Sequence, residues 1–152
     1  MSGGSFGIAI EAATEHVEVL VQGEGTVLAH EIEDVGHGHT RRLSALVARA
    51  LGRAGPSPSQ LRWVAVDLGP GSFTGVRVGL ATAEALALAA GARLHGASSL
   101  ASLALSSGAK RALVVPLVPA GRRDVYAGFF RAGARGEVTL LAAPRVGPVP
   151  EV

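Results

Sequence analysis

A glycine-rich segment between a predicted strand and a predicted helix is where this sequence is most suited to chemistry. Residues 69–75 read Gly-Pro-Gly-Ser-Phe-Thr-Gly. Three glycines in seven residues permit backbone conformations that are closed to other residues, and the backbone N–H groups at a helix N-terminus can bind anions. We expect Thr74 to cap the helix. Gly69, Gly71 and Gly75 are therefore candidate phosphate-binding positions.

This segment matches no complete nucleotide-binding motif. No Lys-Ser/Thr pair follows its last glycine, which excludes a Walker loop, and Thr74 stands where the dinucleotide fingerprint has its third glycine. A tight turn that packs a helix closely on a sheet uses the same residue types. From the residues alone, anion binding and close packing are both open.

Other polar positions are weaker candidates. Glu11 ends the first predicted strand, and a carboxylate there could bind Mg²⁺ through water. His37 and His39 have a possible metal-ligand spacing but no Cys or HExxH motif near them, and helix capping by His39 or Thr40 is the interpretation that we favour. Ser72 lacks the GxSxG context of a nucleophile. We expect no metal site and no catalytic residue.

The composition is typical of one intracellular α/β domain, or slightly more than one. The chain has 152 residues, no cysteine and a formal net charge of +2, so neither a disulfide framework nor thiol chemistry is expected. The N-terminal residues lack the basic region of a signal peptide. The most apolar stretch, 76–92, contains charged residues and is judged too short to span a bilayer. We expect a cytoplasmic protein that does not contact a membrane.

Hydrophobic periodicity predicts the element order β-β-β-α-β-α-β-α. Three meandering strands followed by α/β alternation indicate an α/β, ribonuclease-H-like fold, with a mixed five-stranded sheet and helices on both of its faces. The predicted strands are 6–13, 16–22, 26–33, 62–67 and 93–96, and the predicted helices are 40–53, 74–90 and 98–106.

Three further strands are predicted after these elements, at 111–118, 124–131 and 137–142. These three strands would repeat the three-stranded meander that is predicted at the start of the chain. We therefore divide the chain into an N-terminal ribonuclease-H-like lobe, residues 1–108, and the start of a second, incomplete β-rich repeat, residues 109–152.

Two predicted helices have more apolar surface than one sheet can cover. The 74–90 helix is apolar on nearly all sides, and the 40–53 helix has one strip of large and one of small residues, which allow close helix approach. Internal packing explains both patterns, and so does an interface with a second subunit. The candidate interface residues are Leu43, Ala45, Val47, Ala48, Gly52, Val76, Gly79, Leu80, Ala83, Leu86 and Ala87.

The amino-acid sequence of the glycine-rich segment resembles the signature of the TsaB (YeaZ) family of bacterial tRNA-modification proteins. Segments 8–14, 39–40 and 124–127 resemble other parts of the family pattern in the same order, so the resemblance covers about residues 6–131. The chain differs from the family pattern at Glu11-Ala12, where the family usually has Asp-Thr. It also differs in the residues just before residue 124. The signature positions are Gly69, Pro70, Gly71, Ser72, Phe73, Thr74, Gly75 and Arg77.

The resemblance implies an actin-like ATPase (ASKHA) fold and a non-catalytic scaffold role. Family members support formation of N6-threonylcarbamoyladenosine beside the anticodon of tRNA. The implied partners are a TsaD-type catalytic subunit, a TsaE-type ATPase through the complex, and a second copy when the chain is alone. Contact with tRNA would be indirect, and ATP and Mg²⁺ would be held by the partner subunits. The two helices described above would form the interface.

Two other functions are compatible with the sequence. The first is a minimal actin-like ATPase or phosphotransferase that uses Glu11 and the glycine-rich segment. The second is a self-associating remnant of the fold that no longer binds a TsaD-type subunit.

Overall fold

The chain folds into two units. The computed structural model describes residues 6–34, 39–55 and 57–148, and for residues 39–41 it describes the backbone only. The first unit comprises Met1–Leu68 and Ser72–Gly96, and the second comprises Gly69–Gly71 and Ala97–Val152.

A five-stranded mixed sheet and two helices form the first unit. Its strand order is β3-β2-β1-β4-β5, with β1 antiparallel to β2 and parallel to β4. This is the predicted ribonuclease-H-like arrangement. The elements are β1 (Phe6–Glu11), β2 (His16–Gly23), β3 (Thr26–Asp34), α1 (His39–Ala54), a short 3-10 helix (Pro58–Gln60), β4 (Leu61–Asp67), α2 (Phe73–Ala90) and β5 (Arg93–Ala97).

One face of this sheet forms the core. Side chains alternate between the two faces of a strand, and the registers place Ile8 beside Val21 and Val64, and Ile10 beside Val19 and Val66. These residues are at most 2% exposed. Burial of such branched side chains is the main stabilising contribution in a domain of this kind.

Both α1 and α2 pack on this same face of the sheet. In α1 the periodic apolar residues are buried in the core cluster, and α1 also contacts α2. The sequence predicted helices on both faces of the sheet without assigning each helix to a face. The helix that follows β5 packs in the second unit. The buried α1 residues are Leu43, Leu46, Val47, Ala50 and Leu51.

Helix α2 approaches the sheet through its smallest residues. Gly75, Gly79, Ala83 and Ala87 are buried. A Cβ added at Gly79 would lie 3.4 Å from the Cβ of Ala12. The predicted partner strip of Gly79, Ala83 and Ala87 is therefore part of the internal core, and its small residues serve close helix–sheet packing.

An ionic cluster ties α1 to the edge strand β3. The Glu31 side chain is only 7% exposed and accepts hydrogen bonds from Arg49 Nε at 2.6 Å and Arg53 Nη1 at 2.7 Å. Arg42 of α1 also forms an ion pair with Glu33, which lies on β3 like Glu31. The two arginines beside Glu31 lower the pKa of its carboxyl group because they favour the charged form.

The second unit contains a four-stranded antiparallel sheet and one helix. Strand β8 is central, with β6 and β7 along one edge and β9 along the other. The predicted strand 111–118 is broken between β6 and β7 at Pro116, which has no N–H for the ladder. The elements are α3 (Ser99–Ser106), β6 (Ala112–Val114), β7 (Leu117–Pro119), β8 (Asp124–Ala132) and β9 (Val138–Pro148).

Helix α3 belongs to the second unit. Leu100 and Ala104 are buried and pack with Val118 and Phe130, so α3 covers one face of the second sheet. The sequence predicted the domain boundary between residues 108 and 109, after α3. The structure divides the chain before α3, between Gly96 and Ala97. The pattern of α3 shows an apolar face but not which sheet receives it.

Helix α2 is 18 residues long with a mean hydropathy of 1.3, which suffices by length and composition for a membrane-spanning helix. The apolar stretch 76–92 overlaps this helix, which reaches 18 residues because it begins at Phe73. In the fold, the helix lies on the sheet through its small residues, as helices of α/β domains do.

The two sides of α2 should respond differently to the same bulky charge. We predict that Ala83→Arg destabilises the protein strongly, because overpacking costs about 1–3 kcal/mol and a buried unpaired charge adds to this cost. Ala81→Arg is the matched control, since Ala81 is exposed and arginine is a good helix former. Urea unfolding at several protein concentrations separates stability from association. Equal unfolding free energies for the two variants would contradict the packing described above.

The Glu31 cluster predicts a pH-dependent contribution to stability. Because the folded-state pKa of Glu31 lies below its ordinary value of 4.5, the cluster stabilises the fold above pH 4.5 and loses this contribution as pH falls through the lowered pKa. The stability advantage of the parent protein over Glu31→Gln should therefore shrink on acidification below pH 4.5. Glu84→Gln removes one charge at an exposed position of α2 and is the control. An advantage that is independent of pH in unfolding measurements would exclude this origin.

Candidate functional site

The signature segment leaves strand β4 through a glycine in a left-handed conformation. Gly69 has a φ of 83° and is followed by a cis peptide bond to Pro70. Its carbonyl accepts a hydrogen bond from the Ser99 N–H at 2.9 Å. A residue with a Cβ is strained at such a φ, and this backbone conformation explains why a glycine occupies position 69.

Ser72, and not Thr74, caps helix α2. The Ser72 hydroxyl accepts a hydrogen bond from the Gly75 N–H at 3.2 Å, and α2 begins at Phe73. Thr74 lies inside the first turn, so the prediction that it is the cap was wrong by two residues. Ser72 also donates its own N–H to the Ala13 carbonyl at 2.6 Å. The cap therefore also fixes the turn that follows β1.

Glu11 is engaged by its own turn. One carboxylate oxygen accepts hydrogen bonds from the Ala13 N–H at 2.6 Å and the Thr14 N–H at 3.0 Å. The other accepts one from the Thr14 hydroxyl at 3.0 Å. This arrangement holds the link between β1 and β2, so the contacts give Glu11 a structural role.

The electrostatic environment of Glu11 differs from that of Glu31. Burial raises the pKa of Glu11 above its ordinary value, and the nearby negative charge of Asp67 acts in the same direction. The hydrogen bonds from Ala13 and Thr14 oppose this rise. The net effect of burial and these hydrogen bonds is a raised pKa for the Glu11 carboxyl group.

Among the described residues, no group of three or more His, Cys, Asp or Glu side chains is placed to hold a metal ion. His37 and the side chain of His39 lie outside those residues. The two readings of this histidine pair, metal binding and helix capping, therefore stay predictions.

The solvent-exposed side of α2 has the two most exposed large apolar residues among those described. Leu88 is 86% exposed and Phe73 is 75% exposed. The Arg77 guanidinium lies 5.1 Å from the centre of the Phe73 ring, within range of a cation–π interaction. We define the α2 outer face as Phe73, Arg77, Ala81, Ala85, Leu88 and Ala89, all of which are exposed.

Helix α1 has a smaller exposed strip on the same side of the sheet. Ala45, Ala48 and Gly52 are exposed, as the predicted interface requires, and a Cβ added at Gly52 would meet no atom within 4 Å. Small exposed residues let another helix approach closely. We refer to these three residues as the α1 strip.

The structure therefore separates the predicted interface residues into three groups. The α1 strip is exposed, whereas Leu43, Val47, Gly79, Ala83 and Ala87 lie in the core. Val76, Leu80 and Leu86 are partly buried.

Sequence reasoning missed Phe73 and Leu88 as surface residues. A signal was available for both, because 100° steps around α2 place them beside Arg77 and Glu84, the charged residues of the helix. An apolar side chain on the charged side of a helix cannot reach the same core as the opposite side.

Several proteins of known family are similar to this chain in sequence. A family model described as "TsaD: tRNA N6-adenosine threonylcarbamoyltransferase" matches residues 27–140. The threonylcarbamoyladenosine biosynthesis protein TsaB of Escherichia coli is 36% identical over 121 residues, which cover 78% of this chain and 52% of that protein. TsaB of Bacillus subtilis is 31% identical over 124 residues, 82% of this chain and 54% of that protein. The chain thus spans about half the length of these curated relatives.

A solved structure gives the same result for the fold. The structure of YeaZ from Pseudomonas aeruginosa superposes with a TM-score of 0.83 at 31% identity, over 95% of this chain and 67% of that one. The fold is the predicted ribonuclease-H-like, actin-like one. The matching signature segment, the order of the elements and these relatives together show that the chain belongs to the TsaB (YeaZ) family.

Proposed function

We propose that this chain is a non-catalytic scaffold subunit in the formation of N6-threonylcarbamoyladenosine on tRNA. In this role it binds a TsaD-type catalytic subunit, which transfers the threonylcarbamoyl group to the adenosine next to the anticodon. A TsaE-type ATPase joins through the complex, and ATP and Mg²⁺ are held by these partners. Contact with tRNA is indirect, and the assembly is cytoplasmic.

The observation that carries this proposal is the exposed apolar side of α2. Exposed large apolar side chains are common at interaction sites, and Leu88 and Phe73 are the two most exposed large apolar residues among those described. Leu88 would act as the principal apolar contact, since a few large side chains usually dominate the binding energy of an interface.

The α1 strip extends this surface. Both helices pack on one face of the sheet, so their exposed sides point in the same general direction. Ala45, Ala48 and Gly52 would let a partner helix approach the α1 backbone while Leu88 inserts into the partner. The same surface would serve a two-fold homodimer when the catalytic subunit is absent, because two-fold pairing is the commonest closed arrangement.

The contacts of Glu11 support the absence of catalysis by this chain. Both oxygens of its carboxylate already accept hydrogen bonds within the turn 11–14, and Ala12 supplies no hydroxyl group. A catalytic role would require these bonds to be exchanged for bonds to a metal or its water.

The interface is tested by placing a charge at its most exposed leucine. We predict that Leu88→Arg reduces binding to the TsaD-type subunit of the same organism by at least about a hundredfold, or about 2.7 kcal/mol, because hot-spot residues contribute 2 kcal/mol or more. The homodimer should dissociate as well. Leu105→Arg is the control, since Leu105 is 57% exposed on helix α3. Isothermal titration calorimetry and light scattering measure the two associations.

Three results would decide the proposal. Unchanged binding by a folded Leu88→Arg protein would move the interface elsewhere. Equal loss in Leu105→Arg would show a nonspecific effect of added charge. Dimerisation without any binding by the parent protein would favour the self-associating remnant over the scaffold.

The catalytic alternative has its own test. We predict that the isolated protein releases no phosphate from Mg-ATP above background, since the carboxylate best placed for a metal is engaged by its own turn. A coupled phosphate assay measures this, with Glu11→Ala as the control. Steady release that disappears in Glu11→Ala would establish the ATPase or phosphotransferase function instead.

A further inference from the structure

Strand β3 has two carboxylates on the face of the first sheet that forms the core. The register places Glu31 beside Val19 and Glu33 beside Val17 of β2, and both valines are fully buried. Since β3 is an edge strand of this sheet, acidic residues replace apolar ones where the core reaches that edge. The helix that packs there is α1, which contacts both β2 and β3.

Three arginines of α1 pair with these carboxylates in a fixed order. Arg42, early in the helix, pairs with Glu33, whereas Arg49 and Arg53, later in the helix, pair with Glu31. Helix α1 therefore runs in the opposite direction to β3. The three arginines lie on one side of the helix, because their spacing along the chain is close to whole helical turns.

We propose that Glu31 and Glu33 are positioning residues that fix α1 at one place along the sheet, and that this place determines where the α1 strip is presented. The first part concerns contacts within the first unit and is independent of any partner. The second part rests on the scaffold function proposed above, because it requires the α1 strip to be an interface.

The apolar residues of α1 specify its axial position only weakly. Leu43, Leu46, Val47, Ala50 and Leu51 are buried and recur at helical spacing, so a shift by one turn brings apolar residues to apolar positions again. Hydrophobic burial has no directional preference. Burial alone therefore selects among axial positions less sharply than directional bonds do.

The ionic cluster distinguishes the observed position from shifted ones. Arg49 Nε and Arg53 Nη1 reach separate oxygens of the Glu31 carboxylate, at 2.6 Å and 2.7 Å, and hydrogen bonds weaken steeply with misalignment. A shift of one turn, about four residues, would leave only one of these arginines at Glu31. The Glu31 side chain is 7% exposed, so water replaces a lost bond poorly. Fixing a register is the best-attested role of buried ionic groups.

The α1 strip moves with the arginines because all of them belong to one helix. At 100° per residue, Ala45, Ala48 and Gly52 lie about 60° to 120° from the direction of Arg42. Close packing of two helices fits the ridges of one into the grooves of the other, so it depends on matched positions along both axes. An axial shift of α1 would place the strip out of step with a partner helix.

The position of α1 can be measured directly, because the chain contains no cysteine and labels attach only where one is introduced. Spin labels at Ser44→Cys on α1 and Thr26→Cys at the start of β3, both exposed positions outside the cluster, report the helix–strand distance by double electron–electron resonance. We expect one narrow distance distribution in the otherwise unchanged protein.

Removing the Glu31 charge should release the helix. Glutamine has one acceptor oxygen and an NH2 group that cannot accept a bond from the second arginine. Glu31→Gln should therefore broaden the distribution or add a second distance, displaced by up to about 5.4 Å, which is one helical turn.

A charge exchange tests the second ion pair. Glu33→Arg places a like charge beside Arg42 and should broaden the distribution, and Glu33→Arg/Arg42→Glu should restore the narrow one. A substitution that only destabilised the fold would not be corrected by a second disruptive substitution.

Two controls separate positioning from stability. Val64→Ala opens a cavity in the core at β4, which packs against α2, and should lower stability without changing the distance distribution. Glu18→Gln removes a carboxylate that pairs with His30 on the opposite face of the same sheet, and it should also leave the distribution unchanged.

Binding to the TsaD-type subunit tests the second part of the proposal. Isothermal titration calorimetry, at a temperature where each variant is folded, should show binding at least about tenfold weaker for Glu31→Gln and unchanged for Val64→Ala. A changed distance distribution with unchanged binding would overturn this part. Failure of the parent protein to bind would contradict the scaffold function instead, and the distances would still decide the positioning role.

Three results would overturn the positioning role itself. They are an unchanged distribution in both Glu31→Gln and Glu33→Arg, equal broadening in Val64→Ala, and no restoration by the charge exchange.

Discussion

Close contact between α2 and the sheet is the constraint on which the first unit depends. A Cβ added at Gly79 would already be in van der Waals contact with Ala12 and Val66, and Ala83 is fully buried. Because only small residues allow this approach, the larger apolar residues of the helix are displaced to its flanks and its outer side. The exposure of Leu88 and Phe73 is therefore a consequence of the same packing that forms the core.

The order of the elements could be predicted from the sequence because each strand and helix has its own period. Alternation in β2, as in Val17 and Val19, and the 3.6-residue period of α1 are local signals that tertiary contacts reinforce. The sequence did not show which sheet receives α3, because an apolar helix face fits either sheet. Nor did it show the break at Pro116 as a change of strand, since the apolar run continues across it.

The candidate site was predicted only in part, for a physical reason. Small residues on a helix indicate close approach, but they do not identify what approaches. In α1 the strip at Ala45 and Ala48 is exposed, whereas in α2 the strip at Gly79 and Ala83 faces the sheet. The charged residues of α2, Arg77 and Glu84, identify its outer side and would have distinguished the two cases.

Each unit thus has a helix-covered sheet and an apolar surface that its own elements leave exposed, but the two surfaces differ in chemistry. The α2 outer face combines Leu88 with small residues and Arg77, and the exposed Glu84 lies on the same side of the helix, so the two charges there have opposite signs. In the second sheet, the exposed Leu113 and Leu117 lie near Arg131 and Arg145, which make no ion pair with any described residue. Since specificity depends on such differences in charge as well as on shared apolar contacts, the two surfaces are not interchangeable.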